Sequence, residues 1–183
     1  LRLLAQGTIA DEALPWGPCL YHPEWHQGVV GLVASRIKEK HHRPVIAFAP
    51  GGAGELKGSA RSIRGFHVRD AIAAVAAASP GLVQRFGGHA MAAGLTLAEE
   101  RFAEFAQAFD AEVRRHLDET DLESVLESDG ELEPEHFVLA QAEELREAGP
   151  WGQHFAEPLF DGEFFLRRQR VLGGKHLKLV VSP

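Results

Sequence analysis

The sequence predicts an α/β (α+β) protein with a first domain over residues 1–117 and a second over residues 118–183. Three observations predict it. Segments with helical apolar spacing alternate with short strand-like runs through the first 117 residues. A polar, acidic junction at residues 118–121 then interrupts the pattern. Beyond it, alternation on either side of Gly173-Gly174 signals a β-hairpin in a separate unit.

The elements follow in order. Cys19-Leu20-Tyr21 is a short apolar run after a Pro/Gly turn and reads as a strand. Residues 28–40 read as a helix, because Val29, Leu32, Val33, Arg36 and Ile37 fall at helical spacing. Arg36, Lys38 and Lys40 gather at its C-terminal end, where the helix dipole favours cations. Residues 44–49 are continuous, partly β-branched and bounded by prolines, which predicts a buried strand. Pro50-Gly51-Gly52-Ala53-Gly54 reads as a loop, and residues 55–62 return as a second strand. Residues 68–78 form an alanine-rich helix that stops before Pro80-Gly81, and Leu95-Thr96-Leu97 is a strand. Residues 99–117 carry the clearest helical stripe: Phe102, Phe105, Ala106, Phe109, Val113 and Leu117. In the second domain, a helix is expected over 135–148, with Pro134 in its first turn and Gly149-Pro150 as its stop. Strands are expected over 159–168 and 176–181.

Composition narrows the class. At 183 residues and 45% hydrophobic, the chain can build one full core and part of another. No stretch approaches the roughly 18 apolar residues of a membrane span, and Leu1-Arg2-Leu3-Leu4 lacks the features of a secretory signal. The single cysteine, Cys19, forms no internal disulfide, which suits a reducing, cytoplasmic setting. The only methionine is Met91, and the chain stops directly after a strand-like run, so it reads as a piece of a longer protein with its second domain cut short. The net charge of −7 is unevenly spread. Residues 1–98 hold ten Lys/Arg against six Asp/Glu, residues 99–147 hold four against seventeen, and residues 148–183 hold five against three. Acidity is thus confined to the middle, where it reads as a solvated helix face, and the mildly basic flanks do not exclude anionic ligands.

Three groups of residues carry candidate chemistry. In Phe86-Gly87-Gly88-His89-Ala90-Met91-Ala92-Ala93-Gly94, glycines and small residues surround one titratable side chain. Such a segment lets a bulky or anionic ligand approach bare backbone beside His89. In the strand at 55–62, Lys57, Ser59 and Arg61 share a face. That face is either a phosphate site, with an ammonium, a hydroxyl and a guanidinium in a row, or an edge strand carrying solvated charge. Trp25-His26-Gln27-Gly28 precedes the first helix. His26 there either joins an anion site at the helix N-terminus or caps the helix, with Trp25 in the core. His89 has no neighbours at metal-ligand spacing, so no metal site is expected within the chain. Ser59 and Ser62 lie outside any Gly-x-Ser-x-Gly elbow, and no Walker motif is present. All three groups suit one phosphate-bearing ligand.

The same residues carry a family resemblance. Trp25-His26-Gln27-Gly28-Val29-Val30-Gly31, with Ala34-Ser35-Arg36 and Arg43-Pro44-Val45-Ile46-Ala47-Phe48 after it, resembles the opening signature of the DHHA1 module, the C-terminal subdomain of the DHH phosphoesterases. Lys57-Gly58-Ser59-Ala60-Arg61-Ser62-Ile63 and Gly87-Gly88-His89-Ala90-Met91-Ala92-Ala93-Gly94 resemble its other two signatures, in the right order. Ala148-Gly149-Pro150-Trp151-Gly152-Gln153 and Glu157-Pro158-Leu159-Phe160-Asp161-Gly162 resemble the start of the OB-fold domain in the family's single-stranded-DNA exonucleases.

The resemblance implies a mixed β-sheet DHHA1 domain with flanking helices, followed by part of an OB-fold-like domain with an added helix. It implies the substrate-holding part of a 5′→3′ exonuclease of DNA repair and recombination. An upstream domain would supply Asp and His ligands for two Mn²⁺ or Mg²⁺ ions, and none of those ligand motifs is in this chain. Ser59 and Arg61 would hold the 5′-terminal phosphate with Gly87, Gly88 and His26, and His89 would be the catalytic contact to the phosphate under attack. The OB-fold would grip downstream single-stranded DNA through Arg167, Arg168, Arg170, Lys175 and Lys178 with Phe164 and Phe165. Single-strand-binding protein and helicase partners are implied, and no membrane. Two other readings stay open: a sibling phosphodiesterase of short oligonucleotides or nucleotides, and a non-catalytic single-stranded nucleic-acid-binding module.

Overall fold

The apolar residues of the first domain sort onto the two faces of one sheet. The computed structural model describes residues 14–152 and 155–183, so Gln153, the last residue of the 148–153 motif, lies outside the described residues. The chain forms two compact units, one ending at Ser124 and the other spanning Val125–Pro183.

The first unit contains β1 (Cys19–Tyr21), α1 (Gln27–His41), β2 (Val45–Gly52), β3 (Glu55–Arg61), α2 (Val68–Ala78), β4 (Arg85–Gly88), β5 (Ala92–Ala98) and α3 (Phe102–His116). Its five strands are ordered β1-β2-β3-β5-β4. β1 pairs with β2 in parallel, and every other pairing is antiparallel, so the sheet is mixed. Along β2, side chains alternate between two cores. Val45, Ala47 and Ala49 meet Val30, Val33, Ala34 and Ile37 of α1. Ile46 and Phe48 face the larger core with Ile72 and Val75 of α2 and Phe105, Phe109 and Val113 of α3. Phe48, Phe105 and Phe109 are fully buried, and each such ring stabilises the fold by about 1.5–3 kcal/mol. Gly58 belongs to this side: a Cβ there would lie 2.5 Å from the Phe48 ring and 2.6 Å from Leu95. Its missing side chain makes room for its own strand neighbours rather than for a further element.

Several sequence expectations need correction. The buried stripe of α1 is Val30, Val33, Ala34 and Ile37, whereas Val29 and Leu32 are exposed. The two stripes overlap at Val33 and Ile37, so spacing does not separate them. β2 runs through Pro50 to Gly52, and a register shift between Pro50 and Gly52 accommodates the proline. The turn is only Ala53 and Gly54, both at positive φ. The glycine-histidine segment is a hairpin of β4 and β5, not a loop followed by a strand at 95–97. A 3₁₀ turn, Glu99–Arg101, precedes α3.

The second unit contains α4 (Leu139–Glu147) and a hairpin of β6 (Phe165–Leu172) and β7 (His176–Ser182). Pro134 starts a separate 3₁₀ turn, Pro134–His136, rather than the helix. The strand expected over 159–168 begins only at Phe165 and continues to Leu172. Trp151 stacks on Phe155 with ring centroids 4.8 Å apart and donates its indole N–H to the Leu145 carbonyl at 2.9 Å. Among the described residues, no helix is long and apolar enough to cross a membrane.

Candidate functional site

β3 supplies one wall of the site. Its buried residues, Leu56, Gly58 and Ala60, face the large core, and Lys57, Ser59 and Arg61 emerge half-buried on the side of α1. Arg61 Nη1 donates to Ser59 Oγ at 3.0 Å and to the Ala60 carbonyl at 2.8 Å. The guanidinium lies under Gly31 of α1, where a Cβ would fall 2.9 Å from Arg61 Nη2 and 3.3 Å from Ser59 Oγ. A glycine inside a helix costs about 1 kcal/mol relative to alanine, and here it lets the helix close over the Arg61–Ser59 pair.

α1 packs on β2 and β3 and leaves the same face of β5 and β4 uncovered. Ser59 pairs with Gly94, and Gly94 with Gly87, so the sheet beside Ser59 presents bare backbone. The next row, Lys57 with Thr96 and Arg85, closes one end with two cations. Lys57 Nζ donates to Glu55 Oε2 at 2.9 Å and to Thr96 Oγ1 at 3.1 Å, and Arg85 Nη2 lies 3.8 Å from the same Glu55 oxygen. The hydrogen bond from Lys57 is the main cause that holds the Glu55 carboxyl below its usual range, with the Lys57 and Arg85 charges adding to it against some desolvation. Lys57, Ser59, Arg85, Gly94 and Thr96 line an open cleft of about 480 Å³, which Gln27 and Val30 of α1 border on the other side.

His89 sits at the tip of the β4–β5 hairpin, exposed, with its backbone N–H donating to the Ala92 carbonyl at 2.8 Å. Gly88 before it has φ +141°, and a Cβ there would lie 2.4 Å from the Ala92 oxygen, so the turn requires glycine. Ala92 pairs with Arg61, which puts His89 two strand spacings, about 10 Å, from the Arg61 backbone. His26 lies elsewhere. It caps α1, its Nδ1 accepting the Gly28 N–H at 3.0 Å. The adjacent Gln27 donates to the Pro50 carbonyl at 3.1 Å, at the opposite end of β2 from Val45, the partner of Arg61. Five strand residues, about 17 Å, separate those ends, so no single phosphate touches both His26 and His89.

The structure therefore puts Ser59 in the cleft wall with Arg61 hydrogen-bonded to it, pairs Gly87 with Gly94 of the cleft lining, sets Gly88 and His89 at the end of the β4–β5 hairpin, and uses a ring nitrogen of His26 as a helix cap. Ser62 is buried, and its hydroxyl donates to the Phe66 carbonyl at 2.6 Å, which leaves Ser59 as the accessible serine. Sequence reasoning missed Arg85, Gln27 and Gly31. A glycine inside α1 is a signal for Gly31, whereas Arg85 lies on a strand too short to show a period. Among the described residues, no three His, Cys, Asp or Glu side chains are placed to hold a metal ion.

A mixed sheet with a helix-covered Ser/Arg pair beside an open, cation-lined cleft defines the class: a mixed α/β domain with a cleft suited to anions. The sequence matches the DHHA1 domain over residues 5–115 and the RecJ OB domain over residues 128–183. The chain belongs to the DHHA1 family. It is 57% identical to the single-stranded-DNA-specific exonuclease RecJ of Dickeya dadantii and 56% identical to that of Escherichia coli, in each case over all of this chain and 32% of the relative. The chain thus spans about a third of the length of these relatives. Its fold is similar to crystal structures of RecJ from Thermus thermophilus in complex with Mg²⁺ (TM-score 0.69, 31% identity) and with Mn²⁺ (TM-score 0.70, 30% identity). These cover 98% of this chain and 27% and 26% of the respective RecJ chains.

Proposed function

We propose that this chain is the substrate-holding part of a single-stranded-DNA-specific 5′→3′ exonuclease of DNA repair and recombination. The observation that carries the reading is the Arg61–Ser59 pair under Gly31. It offers fixed guanidinium and hydroxyl donors beside a floor, Gly94 and Gly87, on which no side chain blocks a phosphodiester backbone. Ser59 and Arg61 hold the 5′-terminal phosphate, and Gly87 keeps the floor open. Gly88 fixes the turn that presents His89 to the phosphate under attack. Identity above 50% to RecJ exonucleases supports this assignment.

The relatives solved with Mg²⁺ and Mn²⁺ support a divalent-metal enzyme. In this reading the ligands for such an ion come from an upstream domain, as the family resemblance implies. This polypeptide alone is expected to be inactive as a nuclease. Purified chain with Mn²⁺ and 5′-labelled single-stranded DNA tests this: labelled DNA stays intact, and clear mononucleotide release would overturn the reading. The RecJ-type OB domain adds a basic, aromatic strand, with Arg167, Arg168, Arg170 and Phe165, for downstream single strand. A cytoplasmic setting and partnership with single-strand-binding protein and a helicase belong to the same reading.

A further inference from the structure

The proposed function gives the cleft a direction. The 5′-terminal phosphate lies at Ser59 and Arg61, and His89, beside the phosphate under attack, stands beyond the Arg61–Ala92 pair at one end of β3. The one internucleotide neighbour of the 5′ phosphate is therefore on the His89 side. Any group that the 5′ phosphate itself carries points the other way, along β3 towards Lys57. There Lys57, Thr96 and Arg85 form the next row of the open face, and all three line the cleft. Lys57 stands two strand residues, about 7 Å, from Ser59, a step comparable with the span of two phosphates joined to the first through anhydride bonds. Two of the three Lys57 ammonium donors are committed, to Glu55 and Thr96, which leaves one for a ligand. The Arg85 side chain is 72% exposed, and its ion pair with Glu55, at 3.8 Å, is long. Glu55 stands one row further out, paired with Ala98, and is not part of the cleft lining. Two cations against one carboxylate leave this end of the cleft positive, and a monophosphorylated end uses neither cation.

We propose that Lys57 and Arg85 form a subsite for the β- and γ-phosphates of a 5′-polyphosphorylated single strand, which makes such ends substrates without prior trimming. This rests on the function proposed above. Water attacks the first internucleotide phosphorus, the bond from that phosphorus to the 3′ oxygen of the first nucleotide breaks, and the 3′ oxygen takes up a proton. The shortened strand keeps the attacked phosphate as its new 5′ end, and the first product is an intact nucleoside triphosphate.

The test is digestion by the full-length protein, with Mn²⁺, of one single-stranded DNA sequence bearing a 5′-hydroxyl, a 5′-monophosphate or a 5′-triphosphate. Wild type is expected to prefer the monophosphate to the hydroxyl, to digest the triphosphate at least as well as the monophosphate, and to release a nucleoside triphosphate first. Lys57→Ala and Arg85→Ala are each expected to lower the triphosphate-to-monophosphate ratio of kcat/KM by about tenfold, the value of a charged hydrogen bond. Unchanged thermal unfolding shows that each variant is folded, and the exposed Arg85 side chain makes its variant the safer of the two. If wild type does not prefer the monophosphate to the hydroxyl, the proposed function fails and the subsite with it. If that preference holds but a triphosphate slows release of the first nucleotide, or both variants leave the ratio unchanged, the subsite alone is overturned. Equal loss on monophosphate and triphosphate also overturns it, because both cations then belong to the first site.

Discussion

Arg61 donates a hydrogen bond to Ser59 Oγ at 3.0 Å beneath the bare α-carbon of Gly31. The helix, the strand and the missing side chain are one device. Gly31→Ala separates stability from binding. Alanine raises helix propensity by about 1 kcal/mol, so thermal stability is expected to hold or rise. The new methyl group displaces Arg61, and affinity for a 5′-phosphorylated single strand is expected to fall by about tenfold or more, the value of a charged hydrogen bond. A melting curve and a binding isotherm on the same sample check both halves.

Adjacent glycines at the hairpin have opposite sensitivities. A Cβ at Gly87 meets nothing within 4 Å, whereas one at Gly88 strikes the Ala92 carbonyl, and φ there is +141°. Gly88→Ala is expected to cost about 1–3 kcal/mol of stability. Gly87→Ala is expected to leave unfolding unchanged and to weaken strand binding by obstructing the floor. Denaturant unfolding of the two variants reads the contrast.

Cys19 sits partly buried on β1. Burial first, and the Asp110 carboxylate second, push its thiol well above the usual range. The folded state thus favours the neutral thiol. That stabilisation is fully present below the unfolded thiol pKa, near 8.5, and is lost as pH rises above it. Folded protein is expected to react with a thiol-specific disulfide reagent at pH 8 at least tenfold more slowly than denatured protein. Equal rates would show an accessible thiolate.

Much of this was legible in the sequence, for identifiable reasons. Phe102, Phe105, Phe109 and Val113 lie on one helical stripe because that stripe meets a real core. Strand alternation put Lys57, Ser59 and Arg61 on one face, as observed. What failed was whatever depended on pairing across the sheet. The position of Arg85 beside Thr96 comes from the β4–β5 register, which no local pattern encodes. The separation of His26 from His89 comes from α1 running back along β2, so two residues that each suit an anion stand at opposite ends of the sheet. At Pro50, local turn chemistry lost to ladder pairing that continues past a bulge.

The central claim is that Arg61, with Ser59, holds a 5′-terminal phosphate. The most direct measurement is digestion, by full-length wild-type and Arg61→Ala protein, of single-stranded DNA with and without that phosphate. The variant is expected to lose the preference for the phosphorylated end, by about tenfold or more, with little change on the unphosphorylated strand. Equal loss on both substrates would contradict it.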